Sequence, residues 1–184
     1  MNYPVKSQFR INPLSLVGGT GLKLNVSAPG SIVKGTAGRN QLKDVKANIN
    51  VGSLPITDKR LQGVQGQVNA KLDHLKISES CKQAKGEIKT NILAVNQAQW
   101  QWEGPVLSGP ISCEDGRLLI NLKGANEVLD VIAAKIYLSV DRQYEADILM
   151  DVQAGAPANS AIVAAFLGFQ EVPQGYRLYQ KGTF

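Results

Sequence analysis

A mostly antiparallel β fold is what this sequence predicts, and three observations predict it. Apolar residues recur at every second position in seven separate segments. Turn-forming clusters of Gly, Pro, Asn and Asp separate those segments. No long helical period alternates with them, which excludes a doubly wound α/β arrangement. The expected architecture is a curved antiparallel sheet closing toward an open sandwich or half-pipe, with one short C-terminal helix at about 158–168. Its 184 residues suit one domain and bury about two-thirds of the unfolded surface, so a core forms without a metal.

The elements follow in chain order. Leu22, Leu24 and Val26 alternate with Lys23 and Asn25, and Val45, Ala47, Ile49 and Val51 with Lys46, Asn48 and Asn50. Val64, Gly66, Val68, Ala70 and Leu72 then face away from Gln65, Gln67, Asn69 and Lys71. Beyond Leu72 the phase slips, because Leu75 and Ile77 fall on the opposite parity; a bulge or bend near Asp73-His74 accounts for it. Ala84, Gly86, Ile88, Thr90 and Ile92 make the next strand. In the second half come Leu118, Ile120 and Leu122, then Ile132 through Val140, then Tyr144 through Met150. One apolar and one polar face per strand is the pattern of antiparallel sheet solvated on one side. Turns are expected at Ala28-Pro-Gly-Ser31, Ser53-Leu-Pro55, Gly104-Pro105, Ser108-Gly-Pro110, Glu114-Asp-Gly116 and Gly124-Ala-Asn126. For the helix, Pro157 supplies the start, or Asn159 or Ser160 the cap, and Gly168 the stop. The total is nine or ten strands and one helix.

Charge is uneven along the chain. Residues 1–90 carry 14 Lys and Arg against 5 Asp and Glu, whereas residues 91–184 carry 6 against 10. The basic residues are interleaved with Asn, Gln and Ser rather than aromatics, and no recognition motif accompanies them, so nucleic acid is not an expected partner. A solvated strand face is the plainer reading. Hydrophobic residues at 43% exclude general disorder, and no run of 18 apolar residues is present.

Two cysteines, Cys81 and Cys113, stand 32 positions apart, outside zinc spacing, and a single histidine completes no metal site. A disulfide and a pair of buried thiols are the alternatives. The disulfide is favoured because each Cys sits at a Gly-containing turn beside a strand. Closing such a loop contributes roughly 3–4 kcal/mol and implies an oxidising compartment.

Catalytic chemistry finds no candidates. His74 follows Asp73 on a strand, so the two point to opposite faces and make no oriented base. Gly18-Gly-Thr-Gly21 precedes a strand, not the helix that a phosphate cradle needs. Glu114-Asp115 reads as a turn, not as carboxylates facing across a cleft. No enzyme, cofactor or metal is expected. Trp100 and Trp102 share one face if they lie on a strand. They form either an exposed aromatic platform for a partner or, the favoured reading, anchors of a core otherwise short of large side chains.

Several stretches in this order resemble the type II secretion system protein N family. They are Ile11-Asn-Pro-Leu-Ser-Leu16, Leu42-Lys-Asp-Val-Lys-Ala47, Leu61-Gln-Gly-Val-Gln-Gly66, Cys81-x-x-Ala-x-Gly86, Cys113-x-x-Gly116 and the closing Leu167-Gly168, Gly175-Tyr176 and Gly182. The resemblance implies a non-enzymatic accessory component of the secretion machine, in the periplasm, beside the inner-membrane platform and the outer-membrane secretin. It also implies a short cytoplasmic tail and one transmembrane helix that are not in this sequence, so residues 1–184 read as a single periplasmic β-rich domain, a fragment without its inner-membrane anchor. More remotely the family is similar to AsmA-like proteins, whose curved sheets hold lipid. That resemblance supplies the alternative function, a lipid-binding or lipid-conducting module with an apolar groove lined by residues such as Val68, Ile88, Ile120 and Ile136.

Overall fold

Strands with one apolar face must pair edge to edge and then cover that face. A computed structural model shows both, and it describes residues 6–10 (backbone only), 21–54, 62–125, 131–151, 164–165 and 167–183. Twelve strands form a single open sheet: β1 (Lys6–Arg10), β2 (Leu22–Ala28), β3 (Ser31–Gly38), β4 (Gln41–Asn50), β5 (Gln67–Ile77), β6 (Cys81–Thr90), β7 (Leu107–Glu114), β8 (Arg117–Ala125), β9 (Val131–Leu138), β10 (Gln143–Asp151), β11 (Gln170–Val172) and β12 (Gly175–Thr183). Their order is β1 through β10, then β12 and β11. Every neighbouring pair is antiparallel, and β1 and β11 are the two outer strands, so the sheet does not close into a barrel.

Turn chemistry fixes the register. Asp115 and Gly116 both have positive φ, 50° and 73°, the geometry of the tight two-residue hairpin loop that matches strand twist, and they join β7 to β8. The phase slip at Asp73 is a bulge: Leu72 pairs with Gly86 and His74 with Lys85, which leaves Asp73 as the extra residue. A second irregularity lies between Lys34 and Thr36, where β3 meets β4.

The sheet is two six-stranded meanders joined at β6 and β7. That ladder runs only from Gly86–Thr90 to Leu107–Ile111. Where it stops, Cys81 and Cys113 form a disulfide across a Cα–Cα distance of 5.6 Å, and Cys81 N–H donates to the Gly116 carbonyl at 2.7 Å. The boundary in charge read from the sequence, after residue 90, coincides with this boundary in structure.

Cross-strand partners share a face, so the apolar side is read directly from the register. Val45, Leu72, Gly86, Ile111, Ile120, Ile136 and Ala146 form one continuous row. Two clusters bury it. Leu72, Leu75, Cys81 and Ile111 pack at the disulfide end, and a larger cluster gathers Val51, Val64, Trp100, Trp102, Leu107, Leu122, Ile132, Ala134, Met150 and Ala164. Ile88 and Ile120 touch both.

Three expectations need correction. The strand ending at Ile92 stops at Thr90, and two helical turns follow, α1 (Ile92–Val95) and α2 (Gln97–Trp100). Ser108-Gly-Pro110 is not a turn but lies inside β7. Pro110 cannot donate to a ladder, and the pairing with β8 accordingly skips from Ser108 to Ile111 without ending the strand. Twelve strands replace nine or ten, because β3 and β11 lack a sustained alternation. The helix at about 158–168 falls mostly outside the described residues. Within it Ala164, Ala165 and Leu167 are helical, and Gly168 at φ 88° follows them, its N–H donating to Ala165.

Candidate functional site

Two concave surfaces lie on opposite faces of the sheet, one in each meander. The apolar one sits over β8–β12. Leu93, Trp102, Leu107, Leu122, Ile132 and Ile136 are among its walls, Ala164, Leu167 and Phe169 also line it, and its volume is about 270 Å³. Of the groove residues named from the sequence, Ile136 lines this cavity, whereas Val68, Ile88 and Ile120 pack against the core cluster beside it. The fold does not gather the four into one trough.

Trp100 and Trp102 do not stand on a strand. Trp100 ends α2, Gln101 turns the chain with φ 49°, and Trp102 follows; the two indoles are 8% and 4% exposed. An exposed platform is therefore not what the fold builds with them; both indoles belong to the larger core cluster. What locks this segment down is Asn96, which sequence reasoning did not single out. It is 4% exposed, accepts from Gln65 N–H at 3.0 Å, and donates to the carbonyls of Gln65 at 2.8 Å and Ile92 at 2.6 Å. A buried amide with all these bonds made ties α1 and α2 to the chain entering β5. No signal in the sequence marks it, since the two helical turns that it joins are too short to show a period.

The second concavity lies on the polar face over β3–β7, with a volume of about 750 Å³. Two cross-strand rows line it. One reads Lys34, Lys46, Lys71, Glu87 and Pro110; the other reads Ile32, Asn48, Asn69, Lys89 and Ser108. Ala47, Ala70, Ile88 and Gly109 lie between the rows and supply backbone to the floor. Asn48 donates to Asn69 at 2.7 Å.

On the polar face of the other meander Arg117, Arg177 and Lys181 are held in ion pairs. Arg177 holds Asp147 through two hydrogen bonds of 2.8 Å. Glu145 accepts from Arg117 at 2.8 Å and from Tyr179 at 3.0 Å, with Lys181 at 3.6 Å. The Arg117 bond, followed by that of Tyr179, holds the Glu145 carboxyl below its ordinary range, and Arg177 does the same for Asp147. Tyr137 donates to Glu114 at 2.5 Å, and that bond raises the phenol.

The remaining sequence candidates are scattered. His74 pairs with Lys43 and Lys85 across β4 and β6. Glu114 ends β7 and Asp115 sits in the hairpin turn. Gly18 to Thr20 lie outside the described residues. Among the described residues no three His, Cys, Asp or Glu side chains group as metal ligands, and no helix is long and apolar enough to cross a membrane.

The fold and its two concavities define an open antiparallel β-sheet domain stapled by a disulfide. The family model for type II secretion system protein N matches residues 4–179, and the chain belongs to that family. It is a component of a type II secretion system. No curated protein and no solved structure matches it.

Proposed function

We propose that this chain is a non-enzymatic accessory component of the secretion machine and acts in the periplasm by protein contact. The family match over residues 4–179 carries this reading. The disulfide supports it, because such bonds persist in oxidising compartments. So does the outer strand: β11 covers only Gly175–Arg177 of β12, which leaves Leu178–Thr183 without an outer strand among the described residues. An uncovered edge offers backbone pairing to another chain. The partners are other secretion-system components, with the inner-membrane platform and the secretin as the first to test. The periplasmic side of the inner membrane is the proposed place of action.

Site-specific photo-cross-linking in cells tests it, with the probe at Tyr179, which is 50% exposed beside that edge. Adducts with identified secretion-system proteins are expected. Adducts with lipid alone, or with none of those proteins, overturn protein contact as its mode of action.

A second reading rests on the apolar cavity over β8–β12, whose walls would suit part of an acyl chain. Native mass spectrometry separates the two: a stoichiometric lipid mass carried through purification would favour a lipid-binding module, and a bare protein mass would remove it.

A further inference from the structure

Lys34, Lys46 and Lys71 stand directly opposite one another on β3, β4 and β5. Like charges in such register oppose sheet formation. Lys89 adds a fourth cation from β6. All four are exposed, and among the described residues no carboxylate lies within ion-pair distance of Lys34, Lys46 or Lys89. Lys71 has only Asp73 at 3.8 Å, between side chains that are 68% and 44% exposed. In the same sheet Arg117, Arg177 and Lys181 all sit on carboxylates. Within the trough Glu87, the cross-strand partner of Lys71, is the one carboxylate among the described lining residues, so four cations face one anion inside a concavity.

We propose that the trough over β3–β7 is a docking site for an extended acidic segment of a protein partner. The inference rests on the protein-contact reading above and names the chemistry of that contact. Four strand spacings separate β3 from β7, about 19 Å, which an extended peptide of about six residues spans. Lysines of the rows meet its carboxylates, while Asn48, Asn69 and Ser108 offer donors and acceptors to its backbone. Ile32 and Pro110 provide apolar contact at the two ends. A peptide fits better than a membrane because Asn48, Asn69 and Ser108 stand in a row beside the lysines and match the alternating donors and acceptors of a backbone. Among the described residues no aromatic side chain lines the trough, so bases have nothing to stack on.

Fluorescence anisotropy with a labelled eight-residue peptide of alternating Glu and Asp tests this on the purified chain. Binding should be saturable at about 30 mM salt and weaken sharply at about 300 mM. The quadruple variant Lys34→Gln, Lys46→Gln, Lys71→Gln, Lys89→Gln should lose at least about tenfold in affinity. Its thermal midpoint should be equal or higher, since repulsion is removed, so lost binding is not lost folding. A second variant removes as much charge outside the trough: Lys23→Gln, Lys76→Gln, Lys82→Gln, Lys85→Gln. It should lose less than about threefold. Equal losses in the two variants would reduce the effect to net charge and overturn the site. Absence of peptide binding overturns it too. So does preferential flotation with vesicles of about 30% phosphatidylglycerol in phosphatidylethanolamine, abolished by the first variant, which would assign the lysines to a membrane surface. Failure here with cross-links at Tyr179 intact removes only the acidic segment; loss of those cross-links removes the protein-contact reading itself.

Discussion

Arg117 on β8 donates a 2.8 Å hydrogen bond to Glu145 on β10, two strands away. It crosses the intervening β9 over Tyr137, with the guanidinium carbon 4.1 Å from the ring centroid. Tyr137 is itself the cross-strand partner of Leu119, which is 6% exposed on the otherwise polar face. The guanidinium thus works as a strap: it pairs a charge and stacks on the ring whose cross-strand neighbour, Leu119, is buried outside both core clusters.

Arg117→Ala should lower the thermal midpoint by a few degrees, whereas Arg117→Lys should recover only part of the loss. A lysine keeps the charge but not the planar stack or the fork of donors. Thermal melts of the two variants check this.

Stability should fall in acid, with a sign fixed by the face of β8–β12. Glu145 and Asp147 are held below the ordinary carboxylate range by Arg117 and Arg177. Near pH 4 the unfolded chain therefore binds more protons than the folded one. The contribution is present above the unfolded value and lost as pH falls through the folded one. Both side chains are partly exposed, so solvent screens much of the effect. Melting from about pH 6 to about pH 3 should show the decline, and it should be shallower in an Arg117→Ala, Arg177→Ala double variant.

Asn96→Ala should cost about 2–3 kcal/mol in urea unfolding, because it leaves Gln65 N–H without its buried acceptor. The loss should appear with Trp fluorescence as well as with circular dichroism, since the Asn96 side chain ties the segment that carries Trp100 and Trp102 to the chain entering β5.

Cys81→Ser should destabilise the domain by about 3–4 kcal/mol through loss of the constraint on a 32-residue separation. Peptide binding in the basic trough should be unchanged, since neither cysteine lines it. Thiol titration of the denatured, unreduced protein should find no free thiol.

Gly109→Ala should be poorly tolerated. A Cβ there would lie 1.8 Å from the carbonyl oxygen of Asn121, backbone that cannot step aside without parting β7 from β8. A loss of at least about 1–3 kcal/mol is expected by chemical denaturation.

The strands were legible wherever side chains alternated over six or more residues, because period two is a direct image of a half-solvated sheet. The parity change after Leu72 was legible as a bulge for the same reason. Asp115-Gly116 was legible because only a few residue types enter a turn with two positive φ angles. The turns at Ile92–Trp100 were not. Four-residue helices are too short to show a period, and Asn91 and Asn96 make no side-chain cap bond at their starts. The basic trough was half legible. Lys46, Lys71 and Lys89 could be assigned to polar strand faces, but their register across three strands, and the concavity, belong to the folded sheet alone.

The strand order carries one more consequence, for the history of the chain. From β1 to β10 each strand lies beside its predecessor, so a polypeptide delivered N-terminus first finds an edge already waiting for every new segment. Pairings this local are quick to form. Only the end departs from the rule: β12 pairs with β10 and carries β11 outside it. The closing hairpin must therefore dock as a unit with its later strand leading, and until residues 175–183 have emerged β10 remains the growing margin of the sheet.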